Sequence, residues 1–380
     1  MERIAFLSED RINLWGIAEN STSVQPLNCT VAEKYRERDR EIRLKNEWKQ
    51  SGTGAMFTGA YNPDSSTLDI RLPITGLSAG TDERFVYAIN FERGGGLYFK
   101  HPDPNEPETP ILVHSSTNFF ELDVNQSGRI AVSCADNYLE RHIAVLQPNS
   151  THLQYTTEGE CNDCNPKWSR KDENVLYYDS AGIGYNSAGH FAGFGPRSIY
   201  RLNTATGELH EVLEHPAFDH CYPFEDKDGN LYFIRRPHKQ SSGGMTIIDL
   251  ITAPFKILRA LGGMLDLFTR RHTGESLKSS GANPAKLNQK SQEQIYIDGN
   301  LLEAEKTLKK NAAAGDKNPG YAPQDWELIM KTPDGEEKVL QKSVMSYCIT
   351  PQGITYSNGK YIISNNHATK VHLATKLTSI

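Results

Sequence analysis

Apolar residues in this chain come in short bursts of strand length, divided by polar turns. The pattern is clearest at Asn165–Tyr178 (NPKWSRKDENVLYY) and again at Tyr222–Phe233 (YPFEDKDGNLYF). In each, an aromatic residue, Trp168 or Phe224, leads into a tight turn built on Asp172 or on Asp228 with Gly229, and a β-rich apolar run follows. That order is a hairpin signature. Leu122–Ser133 and Cys348–Ser357 keep the turn glycine, Gly128 or Gly353, and the following strand, without the aromatic. Repetition of a four-strand unit on this scale predicts a β-propeller.

Taken in order, Arg3–Ser8 and Arg11–Ile17 make a first hairpin across Glu9-Asp10. Thr30-x-x-Glu33 is a capping-box pattern that opens a charged helix over about 30–49. Strands resume at Gly54–Tyr61, Thr67–Ile74, Arg84–Phe91 and Gly96–Lys100, followed by a proline-rich surface loop, Pro102–Pro110. Further units start near Phe119 and Asn165, the second carrying a glycine-rich connection, Ala181–Pro196. A fifth starts at Tyr222, breaks after Phe233 and resumes at Trp326–Lys331 and Glu337–Gln341. The last, Tyr347–Leu373, pairs with the N-terminal strand, because a propeller leaves no open edge. The reading is an all-β propeller of about six blades, closed by its N- and C-terminal strands, with a helical insertion in the fifth unit. Residues 1–235 and 323–380 form the ring, and 236–322 form the insertion.

The run Pro-x-Trp-Ser-x-x-Asp, then Val-Leu-Tyr-Tyr, then Ser198–Leu209 (SIYRLNTATGEL), resembles the repeat of TolB-like, WD-repeat-like β-propellers. In that family the third strand ends in Leu-Asp-x-x-Thr-Gly. Here Leu202-Asn203-Thr204-Ala205-Thr206-Gly207 departs only at the Asp. The resemblance covers about half of the chain. It implies a fold and brings no catalytic residues with it.

The insertion differs from its host in charge. Between Arg235 and Lys310 there are 13 Lys and Arg against 7 Asp and Glu, leaving 28 against 40 elsewhere, so an acidic ring carries a basic excursion. Within it, Pro254 breaks one helix and Thr252 caps the next. Phe255, Leu258, Leu261, Leu265 and Phe268 then recur at helical spacing, followed by Arg270 and Arg271. This stripe packs on the propeller, docks a partner protein, or touches a membrane surface through Pro254 to Arg271.

Other features narrow the chemistry. The net charge of −6 argues against nucleic acid as a partner. MERIAFLSED reads as a strand, not a signal peptide, and six scattered cysteines read as reduced thiols in a cytoplasmic protein. No Gly-x-Ser-x-Gly elbow or phosphate-binding glycine motif occurs. Aligning Trp168 with Phe224 puts Cys164 and His220 at equivalent places in neighbouring blades. Cys161, Cys164, His220 and Cys221 are then either a Cys3His zinc site or small buried side chains near the axis. Lactonase-like propellers hold calcium at the channel with Glu, Asp and Asn, for which Glu121, Asp163 and Asn165 are candidates. The expected function is a non-enzymatic scaffold, monomeric outside its complex, that binds a protein partner through its channel face and insertion. The alternative is a metal-dependent hydrolase or lactonase in the channel.

Overall fold

In two strands, Phe85–Asn90 and Ile130–Ala135, every residue is buried, so both faces of the sheet pack against other sheets. The computed structural model describes residues 2–8, 11–18, 21–47, 74–91, 94–103, 105–137, 139–187, 189–238, 294–297, 300–365 and 367–379. These form six antiparallel blades. From the axis outward, blade 1 is Lys376–Ser379, Glu2–Ser8, Arg11–Ala18 and Ser21–Leu27. Blade 2 is Ile74–Ala79, Phe85–Asn90, Gly95–Lys100 and Thr109–His114. Blade 3 is Asn118–Val124, Ile130–Ala135, His142–Leu146 and Leu153–Tyr155. Blade 4 is Cys161–Trp168, Val175–Tyr185, Ser198–Asn203 and Leu209–Leu213. Blade 5 is Phe218–Glu225, Leu231–Pro237, Glu327–Lys331 and Glu337–Lys342, and blade 6 is Ser346–Thr350, Gly353–Ser357, Tyr361–Ser364 and His367–Lys370.

The alternation of side chains along a strand accounts for the doubly buried pattern. Phe85, Tyr87 and Ile89 pack towards blade 1, while Val86 and Ala88 pack towards blade 3. Leu176 and Tyr178 likewise join blade 3, and Val175 and Tyr177 join blade 5. The ring closes through Ile4 and Phe6, which pack with Trp15, Ile362, Ala374 and Leu377 between blades 6 and 1. Closure is by hydrogen bonding: Lys376–Ser379 pairs antiparallel with Ile4–Leu7, so the last strand lies inside the first.

The turns follow the sequence signature with one change. Ser169 Oγ accepts the Lys171 and Asp172 N–H groups, and Asp172 Oδ1 accepts that of Asn174. In blade 5 it is Asp226, not Asp228, whose carboxylate accepts two turn N–H groups, with Gly229 supplying the left-handed φ of +85°.

Several expectations need correction. Helix α1, Thr30–Glu47, has no reciprocal capping box at its start: the Thr30 hydroxyl and the Val31 N–H both donate to Glu108 Oε2, at 3.2 and 2.8 Å. A distant carboxylate thus takes the place at the helix N-terminus. The segment after Pro102 is not all loop, since Thr109–His114 is the outer strand of blade 2. Ala181–Pro196 is no open connection either: Val175–Tyr185 runs into it and pairs with Phe191–Phe194. Helix α2, Ala304–Ala313, directly follows Asn300–Glu303, which pairs antiparallel with Gln294–Ile297, so part of the expected helical insertion is strand. Gly54–Tyr61 and nearly all of Thr67–Ile74 lie outside the described residues.

Trp15 is fully buried at the closure, and its Nε1–H donates to Thr369 Oγ1 in blade 6 at 2.9 Å. Trp15→Ala is expected to destabilise the protein by about 3–5 kcal/mol, the range for truncating a buried aromatic. Chemical denaturation would show it. A loss below about 1 kcal/mol would mean that the seam between blades 6 and 1 does not limit stability.

Candidate functional site: the axial channel

Extended strands send alternate side chains to opposite blade faces, so something must re-aim residues towards the axis. β-Bulges do this on four inner strands. The register slips between Ile74 and Gly76, Phe119 and Leu122, Cys164 and Lys167, and Cys221 and Phe224. In blades 4 and 5 the bulged residue has a left-handed backbone, at Asn165 (φ +51°) and Tyr222 (φ +58°). Pro166 and Pro223 follow, where a missing N–H costs the ladder little.

Asp179 fixes both bulges. It is completely buried, and its Oδ2 accepts the Tyr222 N–H at 2.9 Å and Asn165 Nδ2 at 2.8 Å. Arg197 Nη1 donates to Oδ1 at 2.8 Å and also binds the Asn162 carbonyl at 3.2 Å. The guanidinium and the two N–H donors offset the cost of burying this carboxylate, and the same bonds offset the strain of the two left-handed residues.

Lys376, on the closing strand, reaches across the axis to these bulges. Its ammonium lies 3.1 Å from Asn165 Oδ1, 3.3 Å from Glu121 Oε1 and 3.4 Å from the Tyr222 hydroxyl. Arg141 approaches the other oxygen of Glu121 at 3.5 Å and stacks 3.6 Å from the centre of the Phe120 ring. The Tyr347 hydroxyl donates to the Tyr222 carbonyl at 2.7 Å, which brings blade 6 into the cluster. Beyond it opens a channel to which every inner strand contributes: Leu77, Glu121, Lys167, Tyr222, Tyr347 and Lys376 come one from each blade.

A second buried carboxylate, Asp123, stands beside the channel. Lys167 Nζ lies at 2.8 Å, Arg170 at 3.3 Å, and the Trp168 N–H donates at 3.0 Å. Burial alone pushes its carboxyl up, but Arg170, Lys167 and the Trp168 N–H together hold it below the usual carboxylate range.

The expected zinc residues are not gathered. Cys164 is buried with Sγ 3.2 Å from Asn162 Oδ1, and Cys221 is buried with its thiol pushed up by burial. The His220 ring meets the Phe233 ring edge-on, 5.4 Å between centroids; burial and then Arg235 hold it down to about 4, so it is neutral. Aligning Trp168 on Phe224 was one residue out: the bulges put Cys164 level with Cys221, and Pro166 level with Pro223. One residue exchanges the two faces of a strand. Cys161 and Cys164, three apart, likewise diverge. Among the described residues the convergent set is His142, Cys161 and Asp163: Cys161 was expected to hold zinc and Asp163 calcium, and His142 was not singled out.

The calcium candidates fit no better. Glu121 and Asn165 both hold the Lys376 ammonium, while Asp163 accepts the Thr157 hydroxyl away from them. A divalent cation between Glu121 and Asn165 would meet the charge of Lys376. Phe255, Leu258, Leu261, Leu265, Phe268, Arg270 and Arg271 lie outside the described residues. The sequence gives no motif for Lys376 or Asp179. The in-frame prolines, Pro166 and Pro223, were the available signal for the bulges.

The sequence matches no protein-family model, and no curated protein matches it. Solved structures do. TolB from Acinetobacter baumannii aligns with all of this chain and 66% of its own, at 10% identity and a TM-score of 0.47. The WD40 propeller domain of Doa1 covers 64% of this chain and 77% of its own, at 10% identity and 0.33. A gluconolactonase from Xanthomonas campestris covers 47% and 65%, at 14% and 0.30. At such identities the likeness concerns the fold. The chain is a six-bladed β-propeller with TolB and WD40 propellers as structural neighbours.

Lys376→Met should lower stability by about 1–3 kcal/mol, since it leaves Glu121 and Asn165 short of a donor. In a double-mutant cycle with Glu121→Gln the two losses should couple by at least about 0.5 kcal/mol; strict additivity would show that the axial contact is not energetic. Asp123, with its folded-state value depressed, contributes stability above its unfolded value of about 4 and loses it as pH falls through the folded one. The gap in urea midpoint between wild type and Asp123→Asn should therefore be widest near neutrality and shrink below about pH 4. A gap constant from neutral to acid pH would rule out the ion pairs as its source.

Proposed function

We propose that the protein is a non-enzymatic, cytoplasmic propeller platform that holds a protein partner at its axial channel. In this reading the amphipathic stripe from Phe255 to Phe268 is a second contact. The observation that carries it is the charge balance of the channel: two cations share each carboxylate, Lys376 and Arg141 on Glu121, Lys167 and Arg170 on Asp123. Among these described groups cations outnumber carboxylates, on a molecule whose net charge is −6. Such a focus favours an acidic protein segment over a basic one and over nucleic acid. Tyr222, Phe224 and Tyr347 add aromatic surface suited to a peptide.

The same lining offers little for catalysis. No histidine is among its described residues, so Ser346, Thr378 and Ser379 have no imidazole base beside them there. Its glutamate is committed to Lys376 and Arg141. These features disfavour a metal-dependent hydrolase or lactonase in the channel.

The test is retention of partners by immobilised wild-type protein, by Arg170→Glu with Phe224→Ala, and by a chain lacking residues 241–292. Partners are expected to be lost from the double variant and released from wild type by raising the salt, as for contacts between exposed charges. If the double variant retains what the wild type retains, the channel is not the binding surface. Loss confined to the deleted chain would assign binding to the insertion alone.

A further inference from the structure

Where blade 3 meets blade 4, their backbones touch through a parallel bridge between Arg141 and Asn162. The Arg141 N–H donates to the Cys161 carbonyl at 3.1 Å, and the Asp163 N–H to the Arg141 carbonyl at 3.0 Å. Cys161 and Asp163 flank Asn162, so strand alternation turns them to the same side, while His142 follows Arg141 directly across. We propose that His142, Cys161 and Asp163 form a zinc-binding site at this seam, distinct from the channel and independent of its role.

The distances support it. His142 Nδ1 is 3.9 Å from Cys161 Sγ and 3.9 Å from Asp163 Oδ2, and the three ligand atoms lie within 4.8 Å of one another. Zinc bonds of roughly 2.0–2.3 Å in tetrahedral geometry require ligand separations of about 3.3–3.8 Å. The two His142 separations must therefore close by about half an ångström, and the Cys161–Asp163 pair, at no more than 4.8 Å, by about 1 Å at most. One thiolate, one imidazole and one carboxylate suit zinc better than calcium or magnesium, which take oxygen alone. Three protein ligands leave the fourth position to water.

The surroundings are those of a supported site. Asp163 is 2% exposed, and its Oδ2 accepts the Thr157 hydroxyl at 2.5 Å; Thr157 Oγ1 in turn accepts the Ile143 N–H at 2.8 Å. That outer contact fixes the carboxylate on the side towards His142. The His142 side chain is 22% exposed and Cys161 half-buried, so an ion can enter from solvent. A Cys-His-Asp catalytic triad does not fit, because thiol and carboxylate both approach Nδ1, whereas a triad uses the two ring nitrogens separately.

The full chain, stripped with chelator and dialysed against zinc, should retain one zinc per molecule by elemental analysis. Cobalt substitution should give tetrahedral d–d bands and a sulfur-to-cobalt charge-transfer band, lost in Cys161→Ser and kept in Cys164→Ser. Thr157→Val should weaken zinc binding by about 10–100-fold, as outer-shell losses do, and His142→Gln and Asp163→Asn by more. In wild type, zinc should protect Cys161 from maleimide while Cys348, also half-buried, labels equally with and without it. A cobalt complex without the sulfur band, labelling of Cys161 indifferent to zinc, or zinc binding abolished by Cys164→Ser would each overturn the proposal.

Discussion

Burial on both faces of a blade is the constraint on which everything else rests. A strand that sends Tyr87 to one neighbour and Val86 to the other needs a neighbour on each side, and only a closed ring gives this to all six blades. The chain ends meet that demand: Lys376–Ser379 pairs with Ile4–Leu7, and Leu377 enters the core with Ile4, Phe6 and Trp15. The strand that closes the ring also carries Lys376, whose ammonium fills the axis. Closing the circumference and joining the far blades across the centre are therefore one event.

The axis would not be lined this way without the bulges. Asn165 and Tyr222 adopt left-handed backbones that a regular ladder would not tolerate, and they persist because buried Asp179 accepts from both. Neutralising Asp179 would do more harm than replacing the whole cluster with apolar groups, because its donors would remain buried without their acceptor. A lining held by buried hydrogen bonds in this way suits recognition, since little order has to be created on binding.

The fold was legible where local chemistry decides it. Turn residues such as Asp172 and Gly229 announce their hairpins, and the short apolar runs announce strands, while burial on both faces emerges only from the ring. The split fifth blade was legible for the same reason, since Leu231–Pro237 and Glu327–Lys331 each carry a strand pattern despite their separation. The site was not, because its residues come together through register. A bulge shifts the phase of alternation by one, so matching Trp168 to Phe224 by aromatic character misplaced Cys164 and His220 together. Glu108 at the start of α1 and Lys376 at Glu121 are distant in sequence, and no periodicity connects them.

The placement of polar groups separates two kinds of surface in this ring. Around the channel Glu121 and Asp123 each meet two cations and Asp179 meets Arg197, so among these described groups charge is largely spent internally and cations are in excess. At the seam of blades 3 and 4, a thiol, an imidazole and a carboxylate face one another around a single ring nitrogen, with Asp163 buried and no lysine or arginine nitrogen within ion-pairing range of it among the described contacts. Proteins seldom bury a carboxylate without a cation or strong donors nearby. The Thr157 hydroxyl and His142 supply part of that need, and a metal ion would supply the rest while lowering the cost of ionising Cys161. The seam is thus built for a small cation, where the channel, with Lys376 already in place, is built to exclude one.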